Sequence, residues 1–167
     1  MDEQENKQNK QQQMPAPVVS KLELIRELAQ NCKYDDALEQ LELLQEEEPE
    51  NYEINYELAR VYFELGDYES AVSNYEILLE HHQSPIMYYN LGMALEANDE
   101  VDKAIGAYLK CLALNEKFAL AYKKLGMLYM ARGDFDDAIE YFSDYLKLDV
   151  PECEEEVIQG VLERLKG

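Results

Sequence analysis

Four alanines constrain this chain more than any other feature. Ala37, Ala71, Ala104 and Ala138 follow one another at steps of 34, 33 and 34 residues. Thirteen residues before each stands a leucine: Leu24, Leu58, Leu91 and Leu125. The next position holds Ile25, Ala59, Gly92 and Gly126, and nine before the alanine come Leu28, Tyr62, Leu95 and Tyr129. Three before it stand Tyr34, Tyr68, Val101 and Phe135, and four after it Leu41, Tyr75, Tyr108 and Phe142. A period of this length marks a stack of identical supersecondary units rather than one globular core.

Within each copy the apolar residues recur at three and four positions, the spacing of one buried helix face, so each copy reads as two helices. In the last copy these are expected over Ala119–Ala131 and Phe135–Leu148. The joints read "NCK", "LGD", "AND" and "RGD", where Gly66 and Gly133 can take the left-handed conformation that closes a helix. The first joint has no glycine, and Asn31 is its best left-handed candidate. Small residues such as Gly126 belong where two helices cross closely, with a large ring opposite to fill the space. Pro49, Pro85 and Pro151 punctuate the ends of copies.

The period and the ordered leucine, small residue, tyrosine, alanine and aromatic resemble the tetratricopeptide repeat family. The resemblance runs from about Val18 to Glu152. It implies an all-α fold: a right-handed superhelical α-solenoid of about four helix pairs. The expected organisation is a polar tail over 1–17, repeats over 18–51, 52–84, 85–118 and 119–152, and a C-terminal capping helix over 153–167. The cap follows from Val157, Ile158, Val161, Leu162 and Leu165, which form one stripe behind the acidic start Glu154–Glu156. The tail "MDEQENKQNKQQQMPAP" carries too little apolar surface to order itself.

Charge narrows the function. The formal net charge is -21, with 36 acidic against 15 basic side chains. Such a chain lacks the basic footprint that nucleic acid requires, and an anionic membrane surface repels it. No apolar run approaches the ~20 residues of a membrane helix. Three cysteines, Cys32, Cys111 and Cys153, contain no CxxC pair and point to a reduced, cytoplasmic chain. Neither a nucleophile motif, a phosphate-cradling glycine loop nor HExxH occurs. His81 and His82 are adjacent and point apart on a helix, a poor metal pair. No cofactor, no metal and no catalytic role is expected.

Recognition remains. On the first helix of each repeat, counted at about 100° per residue, a second wedge lies apart from the packing face. It holds Val19, Leu22, Arg26 and Ala29; then Glu53, Tyr56, Arg60 and Phe63; then Ile86, Tyr89, Met93 and Glu96; then Leu120, Lys123, Met127 and Met130. The family resemblance implies that this wedge lines a concave groove for a partner peptide, with Asn90 at its edge placed to bond the ligand backbone. Methionine adapts to varied apolar partners, while aromatics and arginine make strong anchors. The groove therefore suits a peptide or amphipathic helix with apolar residues and some negative charge. Some family members clamp the C-terminal carboxylate of heat-shock chaperones. The corresponding positions hold Leu22, Arg26, Glu57, Ile86 and Asn90, or, one repeat later, Tyr56, Arg60, Asn90, Leu120 and Lys124. The later window keeps Asn90 and Lys124 but lacks the first lysine, leaving a partial clamp. The leading expectation is a protein-binding adaptor. A small secretion-type chaperone and a self-assembling homo-oligomeric scaffold are the alternatives.

Overall fold

The structure, a computed structural model, describes residues 16–167. The tail read over 1–17 lies outside the described residues except for Ala16 and Pro17, which open the first helix. Among the described residues there are nine helices and no strand: α1 (Ala16–Gln30), α2 (Tyr34–Glu47), α3 (Tyr52–Leu65), α4 (Tyr68–His81), α5 (Pro85–Ala97), α6 (Val101–Leu114), α7 (Ala119–Arg132), α8 (Phe135–Tyr145) and α9 (Glu152–Lys166). The four joints within repeats share one device. Cys32, Gly66, Asp99 and Gly133, each five residues before its repeat alanine, all have φ between 58° and 85°. Three of these joints then return an N–H five residues back: Lys33 to Leu28 (2.9 Å), Glu100 to Leu95 (2.8 Å) and Asp134 to Tyr129 (3.0 Å). These are the closing bonds of a helix ended by a left-handed residue. In the first joint that residue is Cys32, not Asn31. Asn31 stays in helical register, its N–H and its Nδ2 both donating to the Glu27 carbonyl.

The chain forms two compact units, Met1–Leu65 and Gly66–Gly167. In the first, α1, α2 and α3 enclose Val18, Leu22, Ile25, Ala37, Leu41, Leu44, Ile54, Leu58 and Val61. Here the structure corrects the repeat register of α1. Leu24, the supposed packing leucine, is 54% exposed, whereas Leu22, placed in the groove wedge, is 0% exposed. Val18, Leu22 and Ile25 are spaced i, i+4, i+7 and form the stripe that meets α2 and α3. In α5 and α7 the position of Leu24 is covered, and each of those helices packs on the second helix before it.

The second unit holds α4 to α9. Its strongest packing lies within the helix pairs α5–α6 and α7–α8. There the small residues admit rings: a Cβ on Gly92 would stand 2.6 Å from the Tyr108 ring, and one on Gly126 2.6 Å from that of Phe142. The Tyr108 hydroxyl donates to Glu96 at 2.9 Å, so a buried ring keeps its polar tip satisfied. The helix α8 stops at Tyr145, short of the expected Leu148, because Lys147 and Leu148 bond three residues back in tight turns before Pro151. Ile158 and Leu162 of α9 then close the core over Ala138, Phe142 and Tyr145, as a capping helix should.

Cys111 is buried and burial pushes its thiol up to about 11, while Cys32 and Cys153 are exposed. Titration with a thiol reagent at neutral pH is therefore expected to show two fast sulfurs. The third should react only on the timescale of unfolding; three equally fast sulfurs would contradict the packing of α6.

Candidate functional site

In the first unit, α1 and α3 run side by side and each presents an arginine from the same repeat position, Arg26 and Arg60. Between them stands Glu57, whose side chain is 6% exposed. Arg26 Nε donates to Glu57 Oε1 at 2.6 Å, and Arg60 Nη1 donates to Glu57 Oε2 at 2.8 Å. Arg26 Nη2 also reaches Glu53 at 3.1 Å. Glu57 is the main cause that pushes the Arg26 guanidinium above its ordinary range. A buried carboxylate is tolerable here because both of its oxygens are charge-paired. Above this network opens a cavity of about 310 Å³ lined by Arg26, Ala29, Gln30, Tyr34, Glu57, Arg60, Val61 and Glu64. Tyr56 stacks on Tyr52 with ring centroids 6.2 Å apart, and Phe63 is half-buried one turn above Arg60.

In the second unit the expected wedge is divided. Tyr89 lies between the rings of Tyr108 (5.7 Å) and Phe118 (5.2 Å), so it fills a joint of the third repeat as well as facing outward. Asn90 and Met93 are half-buried. Lys123 Nζ bonds Glu154 of α9 at 2.9 Å. The same carboxylate accepts the Tyr145 hydroxyl, which is the larger of the two bonds that hold it below the usual carboxylate range. Met130 packs against the cluster that α9 closes. Lys124 bonds Glu96 at 2.9 Å, beside the Tyr108 hydroxyl. Met127, 47% exposed, is left on the surface of α7.

The structure thus places Tyr56, Arg60 and Phe63 along α3 with Arg26 meeting them from α1 in the first unit, and in the second leaves Met93 half-buried on α5 and Met127 exposed on α7. It moves Leu22 into the core, and it engages Lys123 and Met130 with α9. Each wedge cation has a carboxylate partner within the chain: Glu53 and Glu57 for Arg26, Glu57 for Arg60 and Glu154 for Lys123. The residue that sequence reasoning passed over is Glu57. It had been noted only as a clamp position, although its signal was present: a glutamate three residues before Arg60 and facing Arg26 from the next first helix.

Among the described residues, no group of three or more His, Cys, Asp and Glu side chains is placed to hold a metal. No described helix is long and apolar enough to cross a membrane.

A tetratricopeptide repeat profile matches residues 22–73 and 56–117, and a second matches residues 119–149. The human "Tetratricopeptide repeat protein 6" is 26% identical over 140 residues, which cover 84% of this chain and 27% of that protein. The "Photosystem I assembly protein Ycf3" of Prochlorococcus marinus (strain MIT 9211) is 32% identical over 72 residues, 41% of this chain and 42% of that protein. The chain therefore spans well under half the length of either relative. The crystal structure of MamA superposes with a TM-score of 0.75 at 27% identity, covering 84% of this chain and 83% of that one. Both matching profiles describe a repeat and not a catalytic domain. With an all-α fold of nine described helices and profiles that match most of its length, the chain belongs to the tetratricopeptide repeat family, whose members bind other proteins.

Proposed function

We propose that the chain is a protein-binding adaptor that holds a peptide or amphipathic helix of a partner on its first-helix face. The observation that carries this reading is the cavity of about 310 Å³ between α1 and α3. It opens on the face where Tyr56 and Phe63 stand half-buried. Rigid aromatic surface beside an arginine is the composition of an interface anchor.

The test is affinity capture followed by mass spectrometry, using the immobilised full chain. Phe63→Ala and Tyr56→Ala are expected to reduce recovery of the same partner about tenfold. Leu43→Ser and Ile77→Ser, on exposed second-helix positions, should leave it unchanged. Recovery that survives both first-helix changes, in variants with unaltered circular dichroism, would sink the assignment. Arg60→Glu and Tyr89→Ala are poorer probes, since Arg60 neutralises Glu57 and Tyr89 supports a joint.

A second reading is an assembly or secretion chaperone. It draws on the Prochlorococcus relative, whose name makes that protein an assembly factor. It uses the same face and differs in the partner's fate.

A further inference from the structure

The cavity between α1 and α3 has two ends of different character, and this decides what it can accept. At its lower end every charge is met. Arg26 pairs with Glu53 and Glu57, and Arg60 pairs with Glu57, at 2.6 to 3.1 Å. The two guanidinium charges are matched there by the two carboxylates Glu53 and Glu57, so this end carries no net positive charge to draw a ligand carboxylate. The upper end differs. Glu64 faces the cavity with one contact, the Tyr34 hydroxyl at 3.4 Å, and pairs with no cation among the described residues. Gln30 lines the same end. Between the two ends the wall is apolar: Ala29, Val61 and the body of Tyr34.

Resting on the reading of this face as a partner site, we infer that the cavity receives a lysine or arginine side chain of the bound segment. The cation sits at Glu64 and its aliphatic stem lies along Ala29, Val61 and Tyr34. Long basic side chains are built for such a site, with an apolar stem and a charged head that stays near water. The Tyr34 ring adds a face toward which a cation is attracted. The charge of the whole chain, -21, draws a basic segment toward this surface and repels an acidic one. The ligand charge is thus opposite to what the arginines suggest when they are read from sequence.

The test uses a random peptide display library selected against the immobilised full chain. Selected peptides are then synthesised and titrated by fluorescence anisotropy. Lysine or arginine should be enriched at one anchor position. Glu64→Gln should weaken binding about threefold, as expected for one exposed ion pair, and Glu64→Lys should weaken it more. Replacing the peptide's anchor cation by glutamate should restore affinity to Glu64→Lys. Glu64 is exposed, so both variants should melt like the parent. Acidic or purely apolar anchors, or affinities indifferent to both Glu64 variants, overturn the inference. If affinity ignores Glu64 yet falls in Phe63→Ala, only the cation site is lost and the first-helix face stands. If no peptide is enriched, or none depends on Glu64, Phe63 or Tyr56, the site and the reading beneath it both fall.

Discussion

Replacing Gly126 by alanine is expected to destabilise the protein by about 2 kcal/mol, although alanine is the better helix former. The gain in propensity is ~1 kcal/mol. Against it stands a steric conflict, because the new Cβ would lie 2.6 Å from two atoms of the Phe142 ring. That ring is 1% exposed and enclosed by α9, so it cannot swing aside. Forcing a methyl group into such a joint costs about 3 kcal/mol. Gly92→Ala should behave alike against Tyr108. Gly106 and Gly160 supply the control within the same molecule. Both are helical and a Cβ on either meets nothing within 4 Å, so alanine there should stabilise by up to ~1 kcal/mol. In a Phe142→Leu background the Gly126→Ala penalty should shrink to below ~1 kcal/mol, since the two sites share one volume. Urea unfolding of the four single variants tests the sign. Equal midpoints for Gly126→Ala and Gly106→Ala would remove the close approach of α7 and α8 from the account.

The second large effect concerns charge. Removing Arg26 and Arg60 together, each to alanine, should cost about 3 kcal/mol, more than the sum of the single changes. Each single change leaves Glu57 one guanidinium, at 2.8 Å or 2.6 Å, and should cost about 1 kcal/mol. The double change leaves a buried carboxylate with no cation, and that is the expensive state. Both arginines are partly exposed, so their own loss is cheap. Adding Glu57→Leu to the double variant should recover most of the stability, because an apolar residue of similar size replaces the stranded charge. Strict additivity of the two arginine changes would mean that Glu57 is solvated. Failure of Glu57→Leu to rescue would place the cost in lost packing of the arginine stems.

Several parts of the molecule were legible before the fold was seen, and for a local reason. Ala37, Ala71, Ala104 and Ala138 are all 0% exposed, and the glycines at 92 and 126 do meet rings. A helix commits its side chains to a face every third or fourth residue, so a periodic pattern announces which face is buried. The joint geometry was half legible. Glycine marked two of the four left-handed positions; Asp99, of a residue type that tolerates this conformation, holds the third, and only Cys32 takes it with nothing in its type to announce it.

What escaped was decided between helices distant in sequence. Leu22 and Leu24 are both leucines at plausible packing positions. Which of them is buried was decided by α2 and α3, whose Leu41, Leu44, Ile54 and Leu58 share a core with Leu22. Lys123 and Met130 lie on the outward wedge of α7 by helical count, yet α9 supplies Glu154 to one and an apolar cluster to the other. The arginine pair looked like an anion site until Glu57 was found between its members. The repeat, the helix pairs, the small-residue joints and the family were readable from spacing along the chain, three or four residues within a helix and 33 or 34 between copies. Which wedge residues stay exposed, and which are paired or covered within the chain, came from the packing of the helices. Burial and ion pairing are set by neighbours about thirty residues away, and helical periodicity says nothing about whether those neighbours carry a carboxylate, a ring or nothing at all.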